Sequence, residues 1–394
     1  MFLGLLSVEE DISNGQRKPP RVLHVVENLD RGAVENWLLR MLEHAREKGI
    51  KTDWTFYCIL EQPGAWDRKA EALGARVVHS PIPIVRKVEF IRAVRRELRQ
   101  GGYDVLHCHH DILSAVYLGA SLGLPLRRRI VHVHNADESI PSGSRIRQQL
   151  LREPMRQVCL RMADRIVGIS GHTLDIFLAG RARRSGRDSV HYYGVDPTPF
   201  ANTPADRASF RRQFLLPADA PILLFAGRMV PEKNPAFVVE VLAKLRGLEP
   251  RAVGVFAGSG SQEQHVLKRA QELGVEDSVR LLGWRNDLPG IMSCSDCFIL
   301  PHPECPVEGF GLAVVEAQLA GLRMLLSRGI PDDPLLPTAC LRRLALADGP
   351  MQWAKAAMEL LHEPAPSRDA AIAALKGSQM DMDRALEGLV QLHA

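Results

Sequence analysis

Two clusters in the second half of the chain set charged side chains beside glycines. The first is Gly227-Arg228-Met229-Val230-Pro231-Glu232-Lys233-Asn234-Pro235, directly after the apolar run ILLFA. Asn234 and Pro235 suit the N-cap and first position of a helix. Arg228 and Lys233 therefore stand on a loop that feeds a helix N-terminus. Two fixed cations there suit a diphosphate: a guanidinium forks onto phosphate oxygens, and an ammonium acts as a point charge. Gly227 permits a tight turn and close approach. The second cluster is Glu308-Gly309-Phe310-Gly311-Leu312-Ala313-Val314-Val315-Glu316, after the run CFIL and the loop PHPECPV. Glycines ahead of a helix leave backbone amides unpaired, a ready site for an anion or a hydroxyl. Glu316 falls about one turn into an otherwise apolar helix, where a carboxylate needs a hydrogen-bonding partner. A ribose with two vicinal hydroxyls is such a partner, and Glu308 on the loop ahead suits sugar hydroxyls.

Histidines crowd two other strand ends, His107, His109 and His110 in one and His132 and His134 in the other. A single one of these is most simply a satisfied structural residue, but two runs at strand ends converge on one cleft. The seven cysteines are an odd number, scattered along the chain. No disulfide framework follows from them, and a reducing cytoplasm fits. Cys294 and Cys297 form an isolated C-x-x-C. Zinc would want a second pair, and Cys297 begins a strand-like run, so buried structural thiols are expected.

The elements that must hold these residues alternate regularly. Apolar β-type runs at 21–26, 54–60, 75–80, 105–108, 129–134 and 165–170 are separated by helical patterns near 34–48, 66–73, 86–100, 113–122 and 145–161. The segment 197–220, with PTPFANTP and LPADAP, breaks the rhythm. A second series then runs through 221–227, 252–258, 279–283, 297–301 and 323–327, with helices near 235–246, 262–273 and 312–320. Such alternation predicts parallel sheets covered by helices on both faces. The expected architecture is α/β, two doubly wound domains facing across a cleft. The expected divisions are a leader at 1–19, an N-terminal domain at 20–196 and a C-terminal domain at 197–377. Ligands in such sheets bind beyond the carboxyl ends of strands, and both glycine clusters lie there.

With 394 residues, 46% hydrophobic and 24% charged, the chain is globular and long enough for two or three domains. No run of about 18 apolar residues predicts a membrane-spanning helix. The net charge of +4 is uneven: residues 1–200 hold 30 Lys+Arg against 23 Asp+Glu, and residues 201–394 hold 20 against 23. Basic stretches at 86–99, 127–129, 145–161 and 181–187 are either solvated helix faces or a surface for an anionic membrane or acceptor. No nucleic-acid motif accompanies them.

G-R-x4-K followed about 80 residues later by E-G-F-G-x4-E resembles the donor site of retaining glycosyltransferases of family 4, which have the GT-B fold of two facing Rossmann-like domains. The resemblance covers about 20–394. It implies that Arg228 and Lys233 carry the donor diphosphate, that Glu308 contacts the donor sugar and that Glu316 holds the ribose. It also implies that the amides of Phe310, Gly311 and Leu312 meet sugar and phosphates. The opening RVLHVVENLDRGAVENWL resembles exopolysaccharide and capsule glycosyltransferases, whose first strand leads to a G-G-x-E loop under the phosphates. Here the loop reads Gly32-Ala33-Val34-Glu35, so Gly32 is implied and Ala33 is a departure. His134 aligns with a residue that hydrogen-bonds the donor sugar beside the reacting carbon, and His109 is expected to support the acceptor side. Gly258, after AVGVFA, is implied near the diphosphate. LLGWRNDLP resembles the segment that reads the nucleobase, which points to Trp284 or Arg285. ADRIVGIS places Ser170 at the cleft edge, YYGVDPTPF resembles a hinge with Tyr193 replacing Asn, and a last helix near 380–392 resembles one that crosses back to the first domain.

The implied activity is retaining transfer from a nucleotide-diphosphate sugar, with UDP the expected nucleotide, to a saccharide or polyprenyl-diphosphate-linked acceptor. No metal or other cofactor is expected, since no D-x-D motif ends a suitable strand. The expected place is the cytoplasm, with peripheral attachment at the inner membrane face through Arg92, Arg95, Arg96 and Arg99. Three other classes share such folds. A GT-B epimerase should lack the E-G-F-G-x4-E arrangement, and a NAD-dependent dehydrogenase should carry G-x-G-x-x-G after a first strand. A non-catalytic nucleotide-sugar-binding subunit would keep the donor residues, and donor turnover separates it from an enzyme.

Overall fold

A computed structural model of the protein describes residues 18–30, 32–135, 145–202, 206–305 and 307–394. The expected leader lies, up to residue 17, outside them. Seven parallel strands make the first sheet: β1 (Arg21–Val26), β2 (Asp53–Cys58), β3 (Arg76–His79), β4 (Val105–Cys108), β5 (Arg128–Val133), β6 (Arg165–Gly168) and β7 (Asp188–Val190). Their order is β3-β2-β1-β4-β5-β6-β7. Six more make the second: β8 (Ile222–Ala226), β9 (Val253–Ala257), β10 (Val279–Gly283), β11 (Cys297–Leu300), β12 (Arg323–Ser327) and β13 (Leu341–Leu344), in the order β10-β9-β8-β11-β12-β13. In both sheets the winding reverses beside the first strand, between β1 and β4 and between β8 and β11. That reversal opens a crevice at the strand ends, and the two crevices face each other.

The apolar runs became strands because helices cover both faces. β8 and β9 are buried along their whole length. Two edge strands had no such signal. β7 is three residues long, and β13 reads LRRL, with Arg343 paired to Asp332 and Arg342 to Glu363. The described residues of the segment 197–220 include the helices Thr198–Asn202 and Arg207–Gln213, and Arg207 pairs with Asp296 below β11. Cys294 and Cys297 are free, buried thiols at a helix end and the start of β11, and burial pushes both upward.

The last helix, Met382–His393, crosses back and packs on the helix Ala33–Glu47. Asp381 caps it by accepting from the amides of Asp383 and Arg384. Asp383 bonds His44 and Lys48, while Arg127 and Arg128 hold the carbonyls at its far end. Gly194 lets this helix approach, because a Cβ there would lie 2.6 Å from Met41 Cε and 2.9 Å from Ala385 Cβ.

Candidate active site

The glycine clusters emerge at one end of the second sheet. Gly227 and Gly258 follow β8 and β9 with φ of +150° and +144°. A Cβ on Gly258 would lie 1.9 Å from the carbonyl oxygen of Gly227, so only glycine lets these loops pass backbone to backbone. Gly258 N donates to Gly283 O at 2.8 Å, which ties the end of β10 to the same loops. Trp284 stands there, 42% exposed. Arg285 is committed elsewhere: it forks onto Asp287 at 2.8 and 2.6 Å and stacks over Phe214.

Arg228 is exposed, and its guanidinium has no ion pair among the described residues. Lys233 ends a single tight turn, Pro231–Lys233, and its ammonium pairs with Glu308. Asn234 does not cap with its side chain, contrary to the sequence expectation. It takes the left-handed conformation (φ 48°, ψ 49°), which asparagine tolerates better than most residues, and Pro235 opens the helix Pro235–Arg246 as expected.

Glu308 also faces His302 Nε2 at 3.7 Å. Burial alone would raise its carboxyl, but Lys233, His302 and Arg228 outweigh it and hold the group below its ordinary value. It is an ionised acceptor for hydroxyl donors. Behind it, Gly311 (φ +90°) turns the chain into the helix Leu312–Leu319. The amides of Phe310, Gly311 and Leu312 donate to no acceptor among the described residues. The Phe310 ring is buried against Tyr192 and Tyr193 and anchors the loop. Glu316 is half-buried, and its carboxylate has no hydrogen bond or ion pair among the described residues. Burial raises its pKa, opposed by the charge of Arg40 from the first domain.

Gly32 is the N-cap of the helix Ala33–Glu47. A Cβ on Gly32 would lie 1.9 Å from Glu35 Oε2, whose carboxylate folds back over the helix start. Ala33 is already the first helical residue, so its position needs no glycine conformation. Burial, with Glu27 and Asp30 adding to it, raises the Glu35 carboxyl to about 7, against the opposing charge of Arg228. Glu35 and Arg228 thus feel each other across the cleft.

The E-G-F-G loop is clamped onto the first domain. Ser170 Oγ donates to Gly309 O at 2.7 Å. Asp333 accepts from Gly171 N at 2.7 Å and from Tyr192 OH at 3.1 Å. A Cβ on Gly309 would lie 2.6 Å from the carbonyl oxygen of His134, so Gly309 is required by contact with the backbone after β5. The His134 ring differs from expectation. Its Nδ1 lies 2.8 Å from Tyr193 OH and its Nε2 lies 3.0 Å from His109 Nδ1. Both nitrogens are committed inside the first domain, so the ring supports the cleft floor from below, and a sugar hydroxyl would have to displace one of these partners. His109 is buried behind it and bonds His24 through its other nitrogen, so it reaches the acceptor side only through His134.

The structure therefore gathers Gly227, Arg228, Lys233, Gly258, Glu308, Phe310, Gly311, Leu312, Glu316 and, across the gap, Gly32. It adds Glu35, His302, Asp333 and Tyr193, which were not singled out as site residues. Glu35 stood in the quoted G-x-x-E pattern and His302 in the loop ahead of Glu308. Nothing local marked Asp333 or the bond from Tyr193, because both are made across the fold.

Residues 32–194 match the family described as glycosyl transferase 4-like domain, and residues 206–374 match glycosyl transferases group 1. The chain is 27% identical over 357 residues to EpsF of Bacillus subtilis (strain 168), which spans 89% of this chain and 90% of that protein. It is also 27% identical over 255 residues to the UDP-Gal:alpha-D-GlcNAc-diphosphoundecaprenol alpha-1,3-galactosyltransferase of Escherichia coli, spanning 62% of this chain and 63% of that one. The solved structure of Anabaena HepE in complex with UDP and glucose superposes with a TM-score of 0.75 at 17% identity, over 94% of this chain and 98% of the other. At that identity the likeness is one of fold, the two-domain GT-B arrangement.

Proposed function

The chain belongs to the glycosyltransferases, a group 1 domain following a 4-like domain, and we propose that it transfers a sugar from UDP-sugar to a polyprenyl-diphosphate-linked saccharide with retention at the anomeric carbon. The observation that carries this reading is the arrangement of Lys233 on Glu308 beside the unpaired Arg228 and three unused amides. The UDP-bound neighbour and the lipid-linked acceptor in the name of the E. coli relative support the choice of substrates.

In this reading the diphosphate displaces Lys233 from Glu308, and the freed carboxylate takes a donor-sugar hydroxyl. As the glycosidic bond breaks, charge grows on the leaving phosphate. Arg228, Lys233 and the amides of Phe310, Gly311 and Leu312 are aimed at it, the preorganised electrostatic term that usually dominates. The step assigns no role to a metal, since these groups supply the positive charge. The acceptor hydroxyl attacks on the face the phosphate leaves and gives its proton to that phosphate. Glu316 receives the ribose, and Trp284 lies beside the base.

The membrane surface in this reading is the helix Lys87–Gly101. Val85, Val88 and Ile91 are exposed beside Arg92, Arg96 and Arg99. Arg95 drops out of that surface, because it donates to Ala120 O and Leu122 O at 2.7 Å. Arg127 and Arg128 drop out for the same kind of reason. No helix among the described residues is long and apolar enough to cross a membrane, and attachment at the inner face is proposed as peripheral.

The test offers purified protein a panel of UDP-, GDP- and ADP-sugars with polyprenyl-diphosphate-linked N-acetylglucosamine, reading product by mass spectrometry and anomeric configuration by NMR. A retained linkage from a UDP-sugar is the expected result. An inverted product removes the mechanism, and binding without turnover favours a non-catalytic subunit. Flotation on anionic against neutral liposomes, at low and high salt, tests the surface. Equal recovery on both leaves a soluble acceptor as the better reading.

A further inference from the structure

Seven buried imidazoles line one face of the first sheet: His24, His107, His109, His132, His134, His191 and, from the last helix, His393. Six of them form two hydrogen-bonded rows. One runs from His24 Nδ1 to His109 Nε2 (3.0 Å), from His109 Nδ1 to His134 Nε2 (3.0 Å) and from His134 Nδ1 to Tyr193 OH (2.8 Å). The other runs from His393 Nε2 to His107 Nδ1 (3.0 Å) and from His107 Nε2 to His132 Nδ1 (3.2 Å). A neutral imidazole has one donor and one acceptor nitrogen, so such a row ends on a nitrogen that needs a further partner. His24 Nε2 and His132 Nε2 are buried with none. At His24 the rows meet: one ring nitrogen each of His24, His107 and His393 lies within 4.8 Å of the others.

We propose that His24, His107 and His393 supply three imidazoles to a divalent cation, Zn2+ foremost, with a water in the fourth position, and that the cation pins the last helix to the first sheet. Tetrahedral zinc with nitrogen ligands at about 2.0–2.1 Å holds those nitrogens about 3.3 Å apart. The 3.0 Å between His107 Nδ1 and His393 Nε2 is close to that spacing. A neighbouring trio, His107, His109 and His132, also lies within 4.8 Å, but there His109 would give up a bond to His24 or His134 outside the trio, whereas the bond His107 gives up in the first trio is to another ligand, His393, and His24 Nε2 has no partner.

Ligating histidines donate through their second nitrogen, and here that fixes both rows. With Nε2 on the cation, His24 Nδ1–H donates to His109, His109 Nδ1–H to His134, and His134 Nδ1–H to Tyr193 OH. With Nδ1 on the cation, His107 Nε2–H donates to His132. The cation thus sets the tautomer of His134 beneath the E-G-F-G loop without touching the substrate.

The test uses the full chain without a polyhistidine tag, stripped with chelator, loaded with Zn2+ or Co2+ and desalted. One retained equivalent, a higher thermal midpoint and the visible absorption of tetrahedral Co2+ are expected. His393→Gln and His24→Asn each lose the equivalent. His132→Phe, which removes the acceptor behind His107, weakens binding roughly 10–100-fold, and His265→Gln on an exposed helix changes nothing. Circular dichroism of the metal-free variants separates a lost ligand from a lost fold. Failure of the native chain to retain a cation, or an equivalent that survives both ligand substitutions, overturns the proposal.

Discussion

The second sheet buries Leu223, Leu224, Phe225, Val255, Phe256, Ile299 and Leu325 through its central strands, and its charges stand on the loops beyond them. The first sheet has the same winding, yet β1, β4 and β5 carry His24, His107 and His132 into the interior. One sheet is an inert platform for a charged rim. The other holds titratable groups in its core and presents to the cleft mainly a helix start and the backbone after β5. Identical topology therefore leaves the two halves with different responses to pH and to substitution, and that difference can be tested.

The largest effect should be acid lability of the first domain. His134 is pushed down to about 3 by burial, while in the unfolded chain it regains its ordinary value near 6.5. Unfolding then takes up a proton, so the stability it confers is intact above about pH 6.5 and is lost as the pH falls toward 3. That shift corresponds to on the order of 5 kcal/mol. Hydrogen exchange at pH 7, 6 and 5 should show the amides of β1, β4 and β5 losing protection before those of β8, β9 and β11. Simultaneous loss in both sheets would break the comparison.

Next in size is the charged rim. Lys233→Ala and Arg228→Ala should each lower transfer by about 10²–10³, or 2.7–4 kcal/mol, with circular dichroism unchanged. Removal of Lys233 also leaves Glu308 with less to oppose its burial, so its carboxyl rises and the acid limb of the rate profile moves to higher pH. Near-native turnover in both variants would remove the diphosphate assignment.

Glu35 sharpens the contrast, being the titrating group of the first domain that faces the rim. Its value near 7 means the folded chain holds a proton that the unfolded chain gives up near 4.5. Stability from this group is full below about pH 4.5 and declines until about pH 7. Glu35→Gln should remove that decline, a relative gain on the order of 2 kcal/mol at pH 8 against pH 5. Thermal midpoints across that range measure it, and parallel curves for both proteins would mean the carboxyl is ionised throughout.

The smallest effect is at Glu316. Glu316→Gln should weaken nucleoside diphosphate binding roughly tenfold, about 1.4 kcal/mol, and slow the bound complex less, because ribose contacts persist from ground to transition state. Calorimetry that finds unchanged affinity makes Glu316 a structural carboxylate.

Much of this molecule is legible one segment at a time. The runs ILLFA, VRLLG and RMLLS have nowhere to go but a covered parallel sheet. A glycine or charge that follows such a run must land at the strand end, where the crevice is. Arg228, Lys233, Glu308 and Glu316 are readable for that reason: type, spacing and strand end all lie within one short stretch. The edge strand LRRL escapes such a reading because its arginines are neutralised by Asp332 and Glu363, which are distant from the pattern.

Local order thus comes from short-range physics: apolar periodicity, breakers and the geometry of a strand end are properties of neighbours in the chain. What folding adds is pairing between residues far apart. It put Asn234, at the N-cap, in the left-handed conformation with no side-chain cap bond, committed Arg95, Arg127 and Arg128 to backbone carbonyls, and set Asp333 under Gly171. It also brought His393 to His107, 286 positions earlier, and closed His134 between His109 and Tyr193. A histidine in a strand-like run looks the same whether it faces a cleft or a buried row, since only the elements packed against it decide whether its nitrogens meet water, substrate or another imidazole.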